Sequence, residues 1–313
     1  QGEEWATSLQ YTTGKSKGRN LFTTNDTTVN VIKPGPALQN NDISGTSDLF
    51  TFQSDFTNPI NDSTKIEFGI KTIYRQNHNI NTTTNYSYVT DAYVYDSVFS
   101  NNYLINDLVN AAYINYTKQI KKTTFQGGLR FEDSYYQGKV LNKTGQDFGY
   151  SYPSSASTIM KSLFPAIYLS RKVNAKNEFQ FNIGRKINRP NFFQMLPIVM
   201  ASDNFNYRTG NPRLQPEFVN KAEINYNFTK QNINFLTSLY GQYTENAIVF
   251  VSYQSPANPN LLINTFKNGK GNYSYGWENI LRLTVIKILT ITATATPYYI
   301  AINYTNEKGD QLQ

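Results

Sequence analysis

Cysteine is absent from the 313 residues, which excludes disulfide staples and thiolate metal sites. Histidine occurs once. That residue, His78, lies in the polar stretch RQNHNINTTT and reads as a solvated loop side chain rather than a general base. No Gly-Lys-Ser/Thr phosphate loop, no Gly-x-Ser-x-Gly elbow and no EF-hand spacing occurs. Neighbouring acids such as Glu132 with Asp133, or Glu3 with Glu4, would point to opposite faces of a strand and form no acid–base pair. A barrel-borne hydrolase would need a Ser/His or Asp/His arrangement near one rim, and a lone loop histidine does not supply it. The expectation is a protein without catalysis, cofactor or metal. Also missing is any run of about 18 apolar residues, so no spanning helix is expected. The most apolar stretch, 283–295, is interrupted by Lys287.

Aromatic residues are plentiful, with 24 Tyr and 20 Phe, while charged residues make up only 16%. Tyrosine suits positions where one end of a side chain is apolar and the other wet, as at a bilayer interface. The net charge of +7 reads as lumen and loop lysines in water. The sharper alternative is attraction to anionic cargo or lipid head groups. The basic residues are scattered along the chain, which argues against a nucleic-acid partner.

Alternation with a period of two dominates the chain. In 64–75, Ile66, Phe68, Ile70 and Tyr74 share one face, with Lys65, Glu67, Lys71 and Arg75 on the other. In 218–228, Ala222, Ile224, Tyr226 and Phe228 oppose Lys221, Glu223, Asn225 and Asn227. Eleven such spans are expected: 5–12, 49–57, 64–75, 108–117, 124–134, 163–172, 178–187, 218–228, 233–244, 273–283 and 288–304. Most approach the roughly 9–11 residues with which a tilted strand crosses the hydrocarbon. Short connections alternate with long Asn-, Thr-, Ser- and Tyr-rich ones near 13–47, 76–107, 135–162, 188–217 and 245–272. Short turns at one end and long loops at the other define a transmembrane β-barrel.

Single-chain bacterial barrels close with an even number of strands, and an open edge facing lipid costs several kcal/mol per unpaired group. Eleven spans therefore read as about half of a larger barrel. Aromatics at span ends, such as Tyr135, Tyr136, Tyr298 and Tyr299, read as interfacial girdles. For Tyr150, Tyr152, Phe205 and Tyr207, stacking against a sugar or aromatic ligand stays equally open.

Two stretches carry a family resemblance. Residues 110–134 read NAAYINYTKQIKKTTFQGGLRFEDS, an Ala-Ala-Tyr strand turning into a Gly-Leu-Arg-x-Glu strand (Gly128, Leu129, Arg130, Glu132). Residues 164–217 begin with Phe164-Pro165, pass through Arg189-Pro190 at a strand end, and finish with Gly210-Asn211-Pro212-Arg213-Leu214-Gln215-Pro216-Glu217. In order and spacing the chain resembles the outer-membrane β-barrel family of Bacteroidetes-type TonB-dependent receptors. The motif residues also have a physical reading. Pro190 ends a strand, Gly210-Asn211-Pro212 reverses the backbone, and Pro216 stops pairing before the strand that starts near Phe218. Arg130 and Glu132 belong to a polar face, and Gly127 and Gly128 suit a bend or a close approach.

The resemblance implies an all-β fold, an antiparallel transmembrane β-barrel of about 22 strands. Residues 1–313 would be a partial barrel domain truncated at both ends. The implied function is the barrel portion of a receptor for energised nutrient uptake in the cell outer membrane. Its implied partners are outer-membrane lipid, the receptor's own plug domain, an energy-coupling inner-membrane complex and a small-molecule or oligomeric nutrient. Loop 188–217 is the expected cargo contact, through Arg189, Asn206, Tyr207, Arg208 and Arg213. The alternative is a non-transporting barrel whose loops serve adhesion or assembly.

Overall fold

All eleven alternating spans become strands of one antiparallel sheet. The computed structural model describes residues 2–25, 35–143, 147–201, 205–305 and 311–312, with backbone only at 200–201, 304–305 and 311–312. Parts of the expected loops (26–34, 144–146 and 202–204) and residues 306–310 of the polar tail lie outside the described residues. The strands are β1 (Glu4–Thr24), β2 (Ala37–Asn61), β3 (Thr64–Ser87), β4 (Ala92–Tyr95), β5 (Asn101–Ile120), β6 (Thr123–Val140), β7 (Phe148–Tyr152), β8 (Leu163–Lys172), β9 (Asn177–Asn188), β10 (Val199–Ala201), β11 (Asn206–Thr209), β12 (Glu217–Lys230), β13 (Ile233–Glu245), β14 (Ile248–Ser255), β15 (Asn258–Asn268), β16 (Gly271–Ile286), β17 (Leu289–Ala295), β18 (Tyr298–Thr305) and β19 (Gln311–Leu312). One turn of α-helix, α1, spans Phe192–Met195, and a 3-10 helix spans Ala156–Ser162.

The wall runs β1-β2-β3-β5-β6-β8-β9-β12-β13-β16-β18, with β17 continuing β18 along β16. The sheet is open. Its edges are β1 on one side and β17, β18 and β19 on the other. Four further strands form a separate small sheet in the order β10-β11-β15-β14.

Register carries the alternation from strand to strand. Trp5, Phe56, Phe68, Ile114, Leu129 and Pro165 lie directly opposite one another in a row across six strands. Phe125, Leu169, Phe181, Ile224, Leu239 and Trp277 form a second row. These side chains stay uncovered: Ile224 is 55% exposed and Leu239 58%. Among the described residues nothing else packs over these two rows, as expected for a surface solvated by hydrocarbon. Toward the long-loop end a row of Tyr11, Phe50, Tyr74, Leu108 and Tyr135 closes the apolar band. That row has the composition of an interfacial girdle. The polar face carries local ion pairs, Lys65–Glu67 at 2.8 Å, Arg130–Glu132 at 2.6 Å and Lys221–Glu223.

The long connections differ most from expectation. Strand pairing continues through much of 13–47 and 76–107, so β1, β2 and β3 reach 21, 25 and 24 residues. His78 is therefore a strand residue, its Nε2 2.8 Å from Asn102 Oδ1. The Asn- and Thr-rich composition that resembles a solvated loop also suits a ladder whose two faces are both wet, because β-branched Thr favours extended backbone. The other three long connections fold as well: β7 lies in 135–162, α1, β10 and β11 in 188–217, and β14 and β15 in 245–272.

Candidate ligand-contact region at the long-loop end

At the long-loop end the folded connections build the one buried core among the described residues. Tyr103, Ile105, Tyr136, Val140, Phe148, Tyr150, Tyr152, Phe164, Phe218 and Phe266 surround Met195, Leu196, Ile198 and Leu214. The segment 188–217 thus inserts its middle against the strand ends. Its path begins where Pro190 ends β9. Asn191 caps α1: its Oδ1 accepts Gln194 N–H at 3.0 Å, and Gln194 Oε1 accepts Asn191 N–H at 2.8 Å.

The return half interlocks in the same way. Gly210 N–H donates to Leu196 O at 3.0 Å and Asn211 N–H to Gln194 O at 2.6 Å. A Cβ at Gly210 would lie 2.5 Å from Leu196 O, so only glycine permits this approach. Asn211 Nδ2 donates to Phe266 O at 2.8 Å, and Arg213 N–H to Asn211 Oδ1 at 3.0 Å. Pro216 is fully buried. Glu217 accepts hydrogen bonds from Asn188 Nδ2 and from Ile248 N–H, joining β12 to β9 and β14.

The five expected contact residues are not gathered at one point. The Arg189 guanidinium crosses to β6, where it pairs with Glu132 and donates to Ser134 Oγ at 2.7 and 3.0 Å. Arg130 holds the same carboxylate, which is almost wholly buried. Asn206, Tyr207 and Arg208 lie on β11, paired in parallel with Leu262, Ile263 and Asn264 of β15. The Tyr207 ring meets Phe99 edge-on at 5.9 Å. The Arg208 guanidinium sits over Phe266 at 5.3 Å and Phe250 at 5.9 Å. Arg213 is exposed beside a hollow of about 530 Å³ that Tyr135, Tyr136, Asp147, Phe148 and Tyr150 also line.

The tyrosines separate by side. Tyr135 faces outward in the girdle row, whereas its neighbour Tyr136 is 6% exposed within the core. The girdle reading of Tyr136 is thereby corrected, since consecutive strand residues reverse their direction. Tyr150 and Tyr152 are also buried, and Tyr136 stacks on Tyr150 at 5.6 Å. The hydroxyls of Tyr136, Tyr150 and Tyr152 find no hydrogen-bond partner among the described residues. Burial holds the Tyr150 phenol above its ordinary range and pushes Tyr152 up to about 12, so both stay protonated donors at neutral pH. The polar atoms that sequence reasoning missed are these hydroxyls. For Tyr150 and Tyr152 the signal was the Phe-Gly-Tyr-Ser-Tyr alternation at 148–152, which marks a half-buried strand.

A wide antiparallel wall with an uncovered apolar band, an opposite polar face and long connections gathered at one end is the architecture of a membrane-spanning β-barrel. Over residues 1–313 the chain matches the outer membrane protein beta-barrel family and belongs to it. No curated protein matches the chain. Among solved structures it is similar to the copper transporter OprC, at TM-score 0.61 and 10% identity, covering 94% of this chain and 44% of that one. It is also similar to the ferripyoverdine receptor of the outer membrane of Pseudomonas aeruginosa, at TM-score 0.60 and 11% identity, covering 98% and 39%. A third match is the ferric yersiniabactin uptake receptor FyuA from Yersinia pestis, at TM-score 0.56 and 10% identity, covering 95% and 40%. The chain spans less than half the length of each of these receptors.

Proposed function

We propose that residues 1–313 form part of the barrel wall and long-loop end of a TonB-dependent outer-membrane receptor that imports a scarce nutrient. The observation that carries this reading is the fit of the whole wall to the barrels of a copper transporter and two iron-carrier receptors. In this reading the polar face lines a lumen that a plug domain of the whole receptor fills, and an inner-membrane complex drives opening. Cargo meets the protein at the long-loop end. Arg213 and the tyrosine-lined hollow beside it are the leading contacts, since this guanidinium is exposed. Asn206, Tyr207 and Arg208 contribute through the small sheet, and Arg189 acts by holding the loop's start on Glu132.

The test is uptake by the whole receptor in its host. Deleting the gene should abolish growth on one limiting nutrient, and Arg213→Ala should weaken cargo binding several-fold while leaving barrel assembly intact. Unchanged uptake of iron carriers, copper, glycans and peptides in the deletion strain would defeat the proposal.

A further inference from the structure

The opposite rim of the wall, built from the short turns, carries a belt of cations that the transport reading does not use. Lys118, Lys121 and Lys122 occupy the β5–β6 hairpin, Arg171 and Lys176 the β8–β9 hairpin, and Lys230 the β12–β13 hairpin. The three hairpins are locked side by side. Lys172 N–H donates to Lys122 O at 2.9 Å, and Thr229 N–H donates to Lys176 O at 2.8 Å. All six side chains are exposed. None of the six forms an ion pair among the described residues, whereas Lys65, Arg75, Arg130 and Lys221 of the polar face each do. The acids nearby do not cancel them. Glu178 is held by Ser170 at 2.5 Å and Gln180 at 3.1 Å, and Asp62 lies in the next turn along.

Two features say what faces this belt. Lys118 lies directly opposite Phe125, and Arg171 directly opposite Phe179, both on the apolar face. This register sets each exposed cation beside an aromatic ring at the edge of the hydrocarbon band, the placement from which a long side chain snorkels to a headgroup layer. Lys121, Lys122, Lys176 and Lys230 stand in turns a few residues further on. With strand tilt that is within about 10 Å of the apolar edge, where headgroup phosphates lie. Turn chemistry adds an independent sign. Lys121 is held at φ 53°, a left-handed position that Asn or Gly fills at lower cost in a two-residue hairpin.

We propose that this rim binds anionic phospholipid head groups of the leaflet bordering the short turns. The belt anchors the wall at a fixed depth and gathers acidic lipid around it. The test uses the full-length protein in neutral detergent, offered short-chain phosphatidylglycerol or phosphatidylcholine, with retained lipid counted by native mass spectrometry. Phosphatidylglycerol should be retained preferentially, and Lys118→Gln with Arg171→Gln should lower its retention about fivefold per cation removed. Lys118→Arg with Arg171→Lys should keep the preference. If the glutamine pair fails to fold, Lys121→Gln with Lys176→Gln, both in exposed turns, carries the same expectation. Equal retention of the two lipids, or a preference that survives charge removal, overturns the proposal. So does complete displacement by inorganic phosphate, or tight binding of polyglutamate without any lipid preference, which would mark a site for free anions or for an acidic protein.

Discussion

Glu132 shows how much a single side chain can hold in this wall. Its carboxylate is buried on β6, so it needs compensation, and it receives two guanidinium groups from different places. Arg130 lies two residues away on the same strand, whereas Arg189 arrives from the end of β9. The second pairing makes the Arg-Pro strand end an anchor. Gly128 works by absence, because a Cβ there would lie 2.2 Å from Asn115 Oδ1. At the same scale the two faces differ in what they tolerate. Ile224→Arg, in the middle of the apolar band, should destabilise the inserted barrel by about 2–4 kcal/mol. Gln242→Arg, on the polar face beside Thr244, should change stability little. Denaturant titrations of the two variants in lipid would check this, and equal tolerance would contradict the facing.

At the scale of elements, the long connections behave as a folded cap. The return motif bonds back to α1 through Gly210 and Asn211 and to β15 through Asn211 and Asn268. Leu196 and Leu214 bury completely between them. Gly210→Ala would drive a methyl group into the Leu196 backbone, which cannot retreat without unseating Met195 and Leu214. The expected result is a cap that opens on an intact wall. Limited proteolysis should cut within 191–216 in the variant and not in the parent, with the spanning strands protected in both.

For the whole molecule, the open sheet is the governing fact. Every interior wall strand has a partner on each side, but β1 presents a free edge along 21 residues. Unpaired backbone groups cannot face hydrocarbon at tolerable cost. Residues 1–313 expressed by themselves should therefore fail to give a heat-resistant inserted monomer in lipid vesicles. Electrophoresis with and without heating would show it, and a stable, heat-modifiable monomer would mean the edges find each other.

Some of this was legible in the residues alone. Period-two alternation in 64–75 or 218–228 leaves one wall of Ile and Phe and another of Lys, Glu and Asn, and a strand admits only that partition. The spans, the sorting of short and long connections and the barrel class follow from it. Other features depend on partners distant in sequence. That β3 continues through His78 depends on β2 and β5 lying alongside, since a wet ladder carries no hydrophobic period. The burial of Tyr136, the capture of Arg189 by Glu132 and the dispersal of the five contact residues depend on how the cap folds back. Local pattern determines which way a side chain points from its strand; what it meets there is decided by chain that returns from tens of residues away.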